Sequence, residues 1–444
     1  MKTLLVIFGL AASAVAAWAQ SLPGLTITGN SFTYSASDGV VSGIIRIPSG
    51  SGPFPAVLIS HGKGGTAANF SAQHAANLAS WGFACIGPSY THEGANVNTS
   101  DNEGYCPENS RRARRCLEIL AATPGVDMSR LALFGHSMGS YMNGGLAGEI
   151  PSQIKAVVLS AGGTSGTATT TFAAPASQEL QGISAPVLMF HGTADGTVSP
   201  SQSAALQTIL QGNSVPNRRL LYQGVPHAII DTNYKQADIY AVMRAWFTTH
   251  GVLTSPTNTA PTISAPASVT VTAGIASAPI AITVGDSETS ASALTLQAFS
   301  TDTDVAASTQ PPVAAYSGRL NNSGLVLAGS GANRTLTITS SAGVTGTVEV
   351  PLVVNDGQLA SVTYLQVTIQ AASQGAVNFR PEVSWIADQR TTPGVAVNSI
   401  AFTVSDVETA AASLTLSASS SNTTLLPLSG ITFGGSGGNR TVSL

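Results

Sequence analysis

The strongest constraint on this chain is Gly135-His136-Ser137-Met138-Gly139, which directly follows the apolar run Leu131-Ala132-Leu133-Phe134 and opens a helix-like segment. A Gly-x-Ser-x-Gly pentapeptide in that setting needs a sharp strand-to-helix turn. The glycines stand where a side chain would collide, and the serine hydroxyl is left exposed. The N-terminus of the helix then helps to stabilise negative charge beside the serine.

The surrounding residues supply the rest of such a fold. β-like and helix-like runs alternate at 56–60 and 67–80, 83–87 and 111–122, 131–135 and 138–149, with apolar runs at 156–160 and 186–190 and a last helix near 236–250. This alternation predicts an α/β fold with a doubly wound, mainly parallel sheet covered on both faces. Residues 25–48 instead alternate apolar and polar, which predicts antiparallel strands leading into the sheet.

A serine hydroxyl is a weak nucleophile until a base takes its proton, and an imidazole base needs an acid to hold its tautomer. Folds with this elbow present the acid and then the histidine later in the chain, each past a strand. Asp195 stands in His191-Gly-Thr-Ala-Asp-Gly-Thr-Val198, after 186–190, and His227 ends Gly224-Val-Pro-His227, after 219–222. Ser137, Asp195 and His227 are therefore the candidate catalytic residues. His61 and His191 precede glycine at strand ends, where structural hydrogen bonding is expected. Asp231 follows the histidine and would reverse the order, and His74, His92 and His250 are expected at the solvated surface.

His61-Gly-Lys-Gly-Gly65 follows the run at 56–60, where this fold contributes one backbone donor to an oxyanion hole. The backbone N–H groups of Lys63 and Met138 are the candidate donors, with the Lys63 ammonium expected in solvent. The basic run Arg111-Arg-Ala-Arg-Arg115 is read as a helix face paired with Glu118, not as a site for an acidic substrate.

Residues 40–250 resemble the dienelactone hydrolase branch of the α/β-hydrolases. The resemblance rests on Phe54-Pro-Ala-Val-Leu-Ile-Ser-His-Gly62, Trp81-Gly-Phe83, the Gly-His-Ser-Met-Gly elbow, Pro186-Val-Leu-Met-Phe-His-Gly192 with Asp195, and His227. It implies an ester hydrolase with Ser137, Asp195 and His227 as its triad. Dienelactone hydrolases in the strict sense use cysteine where this chain has Ser137, which points away from dienelactone as substrate. The same stretch resembles secreted cutinase-like polyester hydrolases, but Lys63 and Ala161-Gly-Gly163 stand where those carry an aromatic clamp.

Lys2, the apolar run 4–17 and the small residues Ala17 and Ala19 read as a signal peptide cut before Gln20, so the mature protein is expected to be secreted or on the cell surface. No later stretch is apolar for long enough to suggest a membrane span. Charged residues make up 9% of the 444, with a formal net charge of -4 and no basic stripe, which excludes nucleic acid as an expected partner. Three cysteines are too few for a disulfide scaffold. Cys85 reads as inert core, while Cys106 and Cys116 are open to pairing or to remaining thiols.

Beyond residue 250 every signal is β, with neither Lys nor Cys. The segment also repeats. Pro261-Thr-Ile-Ser264 returns as Pro381-Glu-Val-Ser384, Ile282-Thr-Val-Gly-Asp-Ser-Glu-Thr289 as Phe402-Thr-Val-Ser-Asp-Val-Glu-Thr409, and Gly329-Ser-Gly-Ala-Asn-Arg334 as Gly435-Ser-Gly-Gly-Asn-Arg440. The first copy carries an insertion around 302–318 and continues through two further strands that the second copy lacks, which suggests a longer parent product. These repeats resemble the Ig-like or cadherin-like modules of bacterial exported proteins. The expected organisation is a leader at 1–19, a hydrolase domain at 20–250, a linker at 251–261, a β-sandwich at 262–371, a linker at 372–380 and a partial sandwich at 381–444.

The expected function is a secreted serine esterase forming an acyl-enzyme on Ser137, needing no metal or organic cofactor, with a small or polymer-attached ester as substrate. The β modules leave contact with a cell surface or polysaccharide open. Two other classes are weighed: a serine peptidase of the prolyl oligopeptidase kind, and an adhesin with a vestigial hydrolase.

Overall fold

The computed structural model of the chain describes residues 22–94, 103–164, 174–309, 312–372, 380–407 and 409–444. The leader expected at 1–19 and residues 95–102 lie outside the described residues.

The first part is one nine-stranded sheet. Strands β1 (Leu25–Thr28), β2 (Ser31–Ala36) and β3 (Gly39–Arg46) form the antiparallel lead-in. They are followed by β4 (Phe54–Ser60), β5 (Ala84–Pro88), β6 (Val126–His136), β7 (Ala156–Ser160), β8 (Val187–Gly192) and β9 (Asn217–Tyr222), in the spatial order β1-β2-β3-β5-β4-β6-β7-β8-β9. From β5 to β9 every pairing is parallel. Successive residues of a strand point to opposite faces, so Val57 and Ile59 enter one core cluster while Ala56 and Leu58 enter the other. Burying a side chain such as Ile59 fully is worth about 1.5–3 kcal/mol, and both clusters are built almost wholly of such residues.

Among the described residues, six α-helices cover the two faces: α1 (Ala72–Ser80), α2 (Pro107–Ala122), α3 (Met138–Glu149), α4 (Ser177–Gln181), α5 (Pro200–Gly212) and α6 (Gln236–Thr249). Leu78 of α1 and Val242 and Trp246 of α6 lie on one face, whereas Ile119 of α2, Met142 of α3 and Leu206 of α5 lie on the other. α5 starts where the sequence marks it, with Ser199 accepting from the Ser201 N–H and Pro200 supplying a fixed φ at the first helical position.

The arginine run lies on α2 and is absorbed by ion pairs. Arg111 and Arg112 meet Glu108, Arg114 meets Glu149, and Arg115 meets Asp38 and Glu118. Cys106 and Cys116 are buried free thiols. They stand at the N-cap and within the third turn of one helix, and at 1.5 Å of rise per residue their backbones are roughly 15 Å apart, too far to bridge. His74, His92 and His250 are not at a solvated surface: the first two are 2% and 0% exposed, and His250 is half-buried against the Trp246 ring.

The first β module comprises β10 (Thr262–Ser264), β11 (Ser268–Thr272), β12 (Ile280–Gly285), β13 (Thr295–Ala298), the short pair β14 (Ser308–Thr309) and β15 (Pro312–Val313), β16 (Leu325–Ser330), β17 (Asn333–Ile338), β18 (Gly346–Asn355) and β19 (Ala360–Gln370). Two four-stranded sheets, β10-β12-β17-β16 and β11-β19-β18-β13, share one apolar core.

This module does not hang from a free linker. Met1–Ala372 is one compact unit, and the second unit is Ser373–Leu444. Val252 and Leu253 are buried in the apolar cluster on one face of the nine-stranded sheet, Arg130 donates to Thr254 Oγ1 (3.2 Å), and the Thr259 N–H donates to Glu288 (2.8 Å). Phe299, Val305, Val353, Leu359 and Ala360 of the module belong to the same cluster as α6. A Pro- and Thr-rich composition reports the absence of helix and strand, and it says nothing about contacts.

The second unit has a four-stranded sheet, β20 (Glu382–Val383), β21 (Ile400–Ser405), β22 (Thr432–Ser436) and β23 (Asn439–Ser443), in the order β20-β21-β23-β22. It repeats the first module's register: Thr262 opposes Gly285 as Glu382 opposes Ser405, and Ile282 opposes Arg334 as Phe402 opposes Arg440. Arg334 and Arg440 each donate to the carbonyl of the corresponding alanine, Ala291 and Ala411, at 2.9 Å.

Candidate active site

Ser137 stands between β6 and α3 with φ 54° and ψ −122°, a backbone state that non-glycine residues seldom adopt and that is held only where the surroundings enforce it. The Ser137 N–H donates to Ser160 O on β7 (2.8 Å). A Cβ at Gly135 would lie 2.3 Å from Gly139 O, and one at Gly139 would lie 2.0 Å from Ser60 O. Both glycines are thus forced by the crossing of α3 over β4 and β6.

Asp195 and His227 reach the same sheet edge from the turns after β8 and β9. His227 Nε2 lies 2.7 Å from Ser137 Oγ, and His227 Nδ1 lies 2.8 Å from Asp195 Oδ2. A carboxylate can only accept here, so Nδ1 carries the proton and Nε2 is free to accept from the serine hydroxyl. Asp195 Oδ1 also accepts from the N–H groups of Thr197 (2.9 Å) and Val198 (2.8 Å). Burial by itself would raise the Asp195 pKa, but hydrogen bonds from His191 and His227, the charge of His227 and the Val198 N–H outweigh it and hold the carboxyl well below the usual range.

His191 is the brace for that aspartate. Its Nε2 donates to Val198 O (2.9 Å) and lies 3.2 Å from Asp195 Oδ2. The structural role expected of His191 is therefore specific to the site. His136, inside the elbow, stands 5.1 Å from the His227 ring and against Phe70. Burial, then the neighbouring His227, pushes its pKa down, so it adds no charge beside the base. Asp231 is exposed and makes no hydrogen bond to the His227 ring nitrogens, which Asp195 and Ser137 occupy.

The loop at 61–65 abuts the serine. A Cβ at Gly62 would lie 2.9 Å from Ser137 Cβ. Among the described residues the backbone N–H groups of Lys63 and Met138 have no protein partner. The Lys63 side chain is exposed to solvent as expected, and its ammonium also pairs at 2.6 Å with Glu103, which is 1% exposed.

Two neutral imidazoles hold this loop. His61 Nδ1 donates to Gly62 O (2.9 Å) and its Nε2 accepts from the Tyr90 N–H (3.2 Å). His92 Nε2 donates to His61 O (3.1 Å) and its Nδ1 accepts from Asn109 Nδ2 (3.3 Å). Each ring gives one proton and accepts one, so protonation would break a bond in either. Burial lowers both pKa values, that of His92 to about 3. Among the described residues no group of His, Cys, Asp and Glu side chains is arranged to hold a metal.

Residues 41–255 match the family model described as the Dienelactone hydrolase family. They form a dienelactone hydrolase family domain. Over 105 residues the chain is 33% identical to proteins named as carbamate hydrolase RutD in Klebsiella pneumoniae (strain 342) and Klebsiella variicola (strain At-22), covering 24% of this chain and 36% of each relative. The chain thus spans about a third of the length of these relatives. Among solved structures, Thermogutta terrifontis esterase 2 is 17% identical with a TM-score of 0.41, over 53% of this chain and 97% of that one. Porphyromonas gingivalis dipeptidyl peptidase 4 is 16% identical with a TM-score of 0.41, over 51% of this chain and 35% of that one.

The dienelactone hydrolase domain therefore carries several site residues that sequence reasoning did not single out. His92 and Asn109 had no signal, because their spacing follows no helical or strand period. His191 was expected to make structural hydrogen bonds at its strand end, and the structure adds Asp195 as the group it meets.

Proposed function

We propose that this protein is a serine hydrolase that cleaves carboxylic esters through an acyl-enzyme on Ser137. The observation that carries the reading is the continuous hydrogen-bonded chain Ser137 Oγ, His227, Asp195. In the mechanism, His227 Nε2 takes the serine proton as Oγ attacks the ester carbonyl. The Lys63 and Met138 N–H groups, unpartnered among the described residues, receive the oxyanion. The protonated His227 then gives its proton to the leaving alcohol oxygen, and a water deprotonated by the same nitrogen releases the acid. Asp195 holds the ring and its charge throughout without taking a proton.

The N-terminal residues 1–19 support export of the mature chain from Gln20. N-terminal sequencing of protein recovered outside the producing cell tests that, and a mature chain starting at Met1 would remove it.

A fluorophosphonate probe should label the protein and leave Ser137→Ala unlabelled. Turnover should be measured on p-nitrophenyl esters of graded acyl length, an aryl carbamate and a proline-containing peptide. Ester hydrolysis well above the other two is the expected result, and preference for the carbamate or the peptide would change the bond assigned.

A further inference from the structure

The first β module reaches the loop that carries His227, and a stretch absent from its repeat makes the contact. The loop Gly224-Val225-Pro226-His227 enters the site from the end of β9 with Gly224 at φ +68°. On one side it is tied to the aspartate loop: the Gly224 N–H donates to Thr193 Oγ1 (2.9 Å) and the Ala194 N–H to Val225 O (3.1 Å). On its other side stands Tyr316, a residue of the insertion at 302–318. A Cβ at Gly224 would lie 2.3 Å from Tyr316 Cγ and 2.5 Å from its Cβ and Cδ1, so the ring occupies the space a side chain would fill. One residue earlier, the Gln223 N–H donates to Thr301 O (2.8 Å).

Tyr316 is itself held rigidly. Its hydroxyl donates to Asp302 Oδ1 (2.6 Å), its backbone exchanges both hydrogen bonds with Val305 (2.9 Å each), and Asp302, 1% exposed, is also paired with Arg319. Val305 is buried in the same apolar cluster as Val225, Ile229 and Ile230, which flank His227 in sequence. The second repeat matches the first on either side of this stretch but has no counterpart to it.

We propose that the insertion at 302–318 is a positioning element of the hydrolase, in which Tyr316, fixed by Asp302, seats against Gly224 and holds the loop that carries His227. The proposal rests on the serine hydrolase reading above. Tyr316 touches no reacting atom and acts through the loop. A general base displaced by a fraction of an ångström from its nucleophile loses rate without losing substrate binding, so the expected signature lies in kcat and not in KM.

The test uses the full chain. Tyr316→Ala should lower kcat for a p-nitrophenyl ester by about tenfold or more with KM within about twofold, and should slow fluorophosphonate labelling by a similar factor. Tyr316→Phe keeps the ring on Gly224 and should stay within about threefold of wild type. Arg244→Ala, which removes a contact between α6 and Gly357 elsewhere in the same interface, should lower the melting temperature and leave kcat in place. Gly224→Ala, which pushes on the ring from the opposite side, should reproduce the kcat loss and covers the case in which Tyr316→Ala does not fold.

Unchanged kcat in Tyr316→Ala and Gly224→Ala overturns the proposal, as does a Phe variant as slow as the Ala variant. An equal kcat loss in Arg244→Ala also overturns it, since any loosening of the module would then suffice. Labelling separates the two claims. If the wild type is not labelled, the serine hydrolase reading fails; if it is labelled and Tyr316→Ala reacts at the same rate, only the positioning role fails.

Discussion

His227 faces Asp195 with one ring nitrogen and Ser137 with the other, at 2.8 Å and 2.7 Å. The acid is therefore set to choose the tautomer that makes the base competent. Asp195→Asn keeps the shape but offers an N–H where Oδ2 accepted, so the ring is driven to the other tautomer. A loss of about 10⁴ in kcat with near-native stability is expected, measured by steady-state kinetics beside a urea titration. Full activity of the Asn variant would remove Asp195 from its role.

Lys63 separates a main-chain role from a side-chain role. Lys63→Ala keeps the N–H and should retain kcat within a few-fold, while the unpaired buried Glu103 lowers the melting temperature. Lys63→Pro removes the donor and should cost about 10²–10³ in kcat. The reverse ranking, with Ala worse than Pro, would assign the function to the ammonium.

His191→Phe removes a donor to Val198 O and a contact of the Asp195 carboxylate. A kcat loss of about tenfold with KM unchanged is expected, since the aspartate keeps its two backbone donors. A variant that is destabilised yet fully active per folded molecule would make His191 a core residue only.

At the elbow, Gly139→Ala forces a Cβ to within 2.0 Å of Ser60 O. The collision is with backbone, so relief requires α3 to move off β4. About 3 kcal/mol or more of destabilisation is expected from a urea titration, and a change below about 1 kcal/mol would show that α3 does not need this glycine to pack on β4.

Stability should fall as pH drops below about 6.5. Burial holds His74 and His92 in the folded protein near 4 and 3, whereas unfolded histidine titrates near 6.5. The unfolded chain therefore binds more protons than the folded one across that interval. The contribution of each neutral ring is complete above about 6.5 and is lost progressively as pH falls toward the folded values. Asp238 works the other way, since burial raises it to about 6 and its contribution is lost as pH rises through that value; one such group offsets only part of two histidines. Melting temperatures from pH 7.5 to 4.5 check this, and Asn in place of both histidines should flatten the curve.

Much of the site is legible in the sequence because each of Ser137, Asp195 and His227 stands just past a short apolar strand with glycine or proline beside it. Period and punctuation fix where a parallel sheet presents its loops, and a single pentapeptide fixes which loop holds the serine. The docking of the β module is not legible in the same way. Val305, Tyr316, Val353 and Tyr364 are ordinary residues of a β pattern, and a period of two states which face is buried without stating what buries it. The interior placement of His74 and His92 was hidden for a related reason, because a polar side chain reads as exposed until its partners, here Tyr240 and Asn109, are brought near by the fold.

The flank of α6 is committed to a neighbour instead of water. Val242, Met243 and Trp246 share their apolar contacts with Val353, Leu359 and Ala360 of the β module. A chain shortened to residue 255 would keep every triad residue yet present this flank bare, a greasy seam that invites self-association. Trimming the enzyme to its catalytic half would thus exchange a second domain for a solubility problem, and any such trimmed form would need polar residues sown along α6 before its kinetics could be compared with those of the parent.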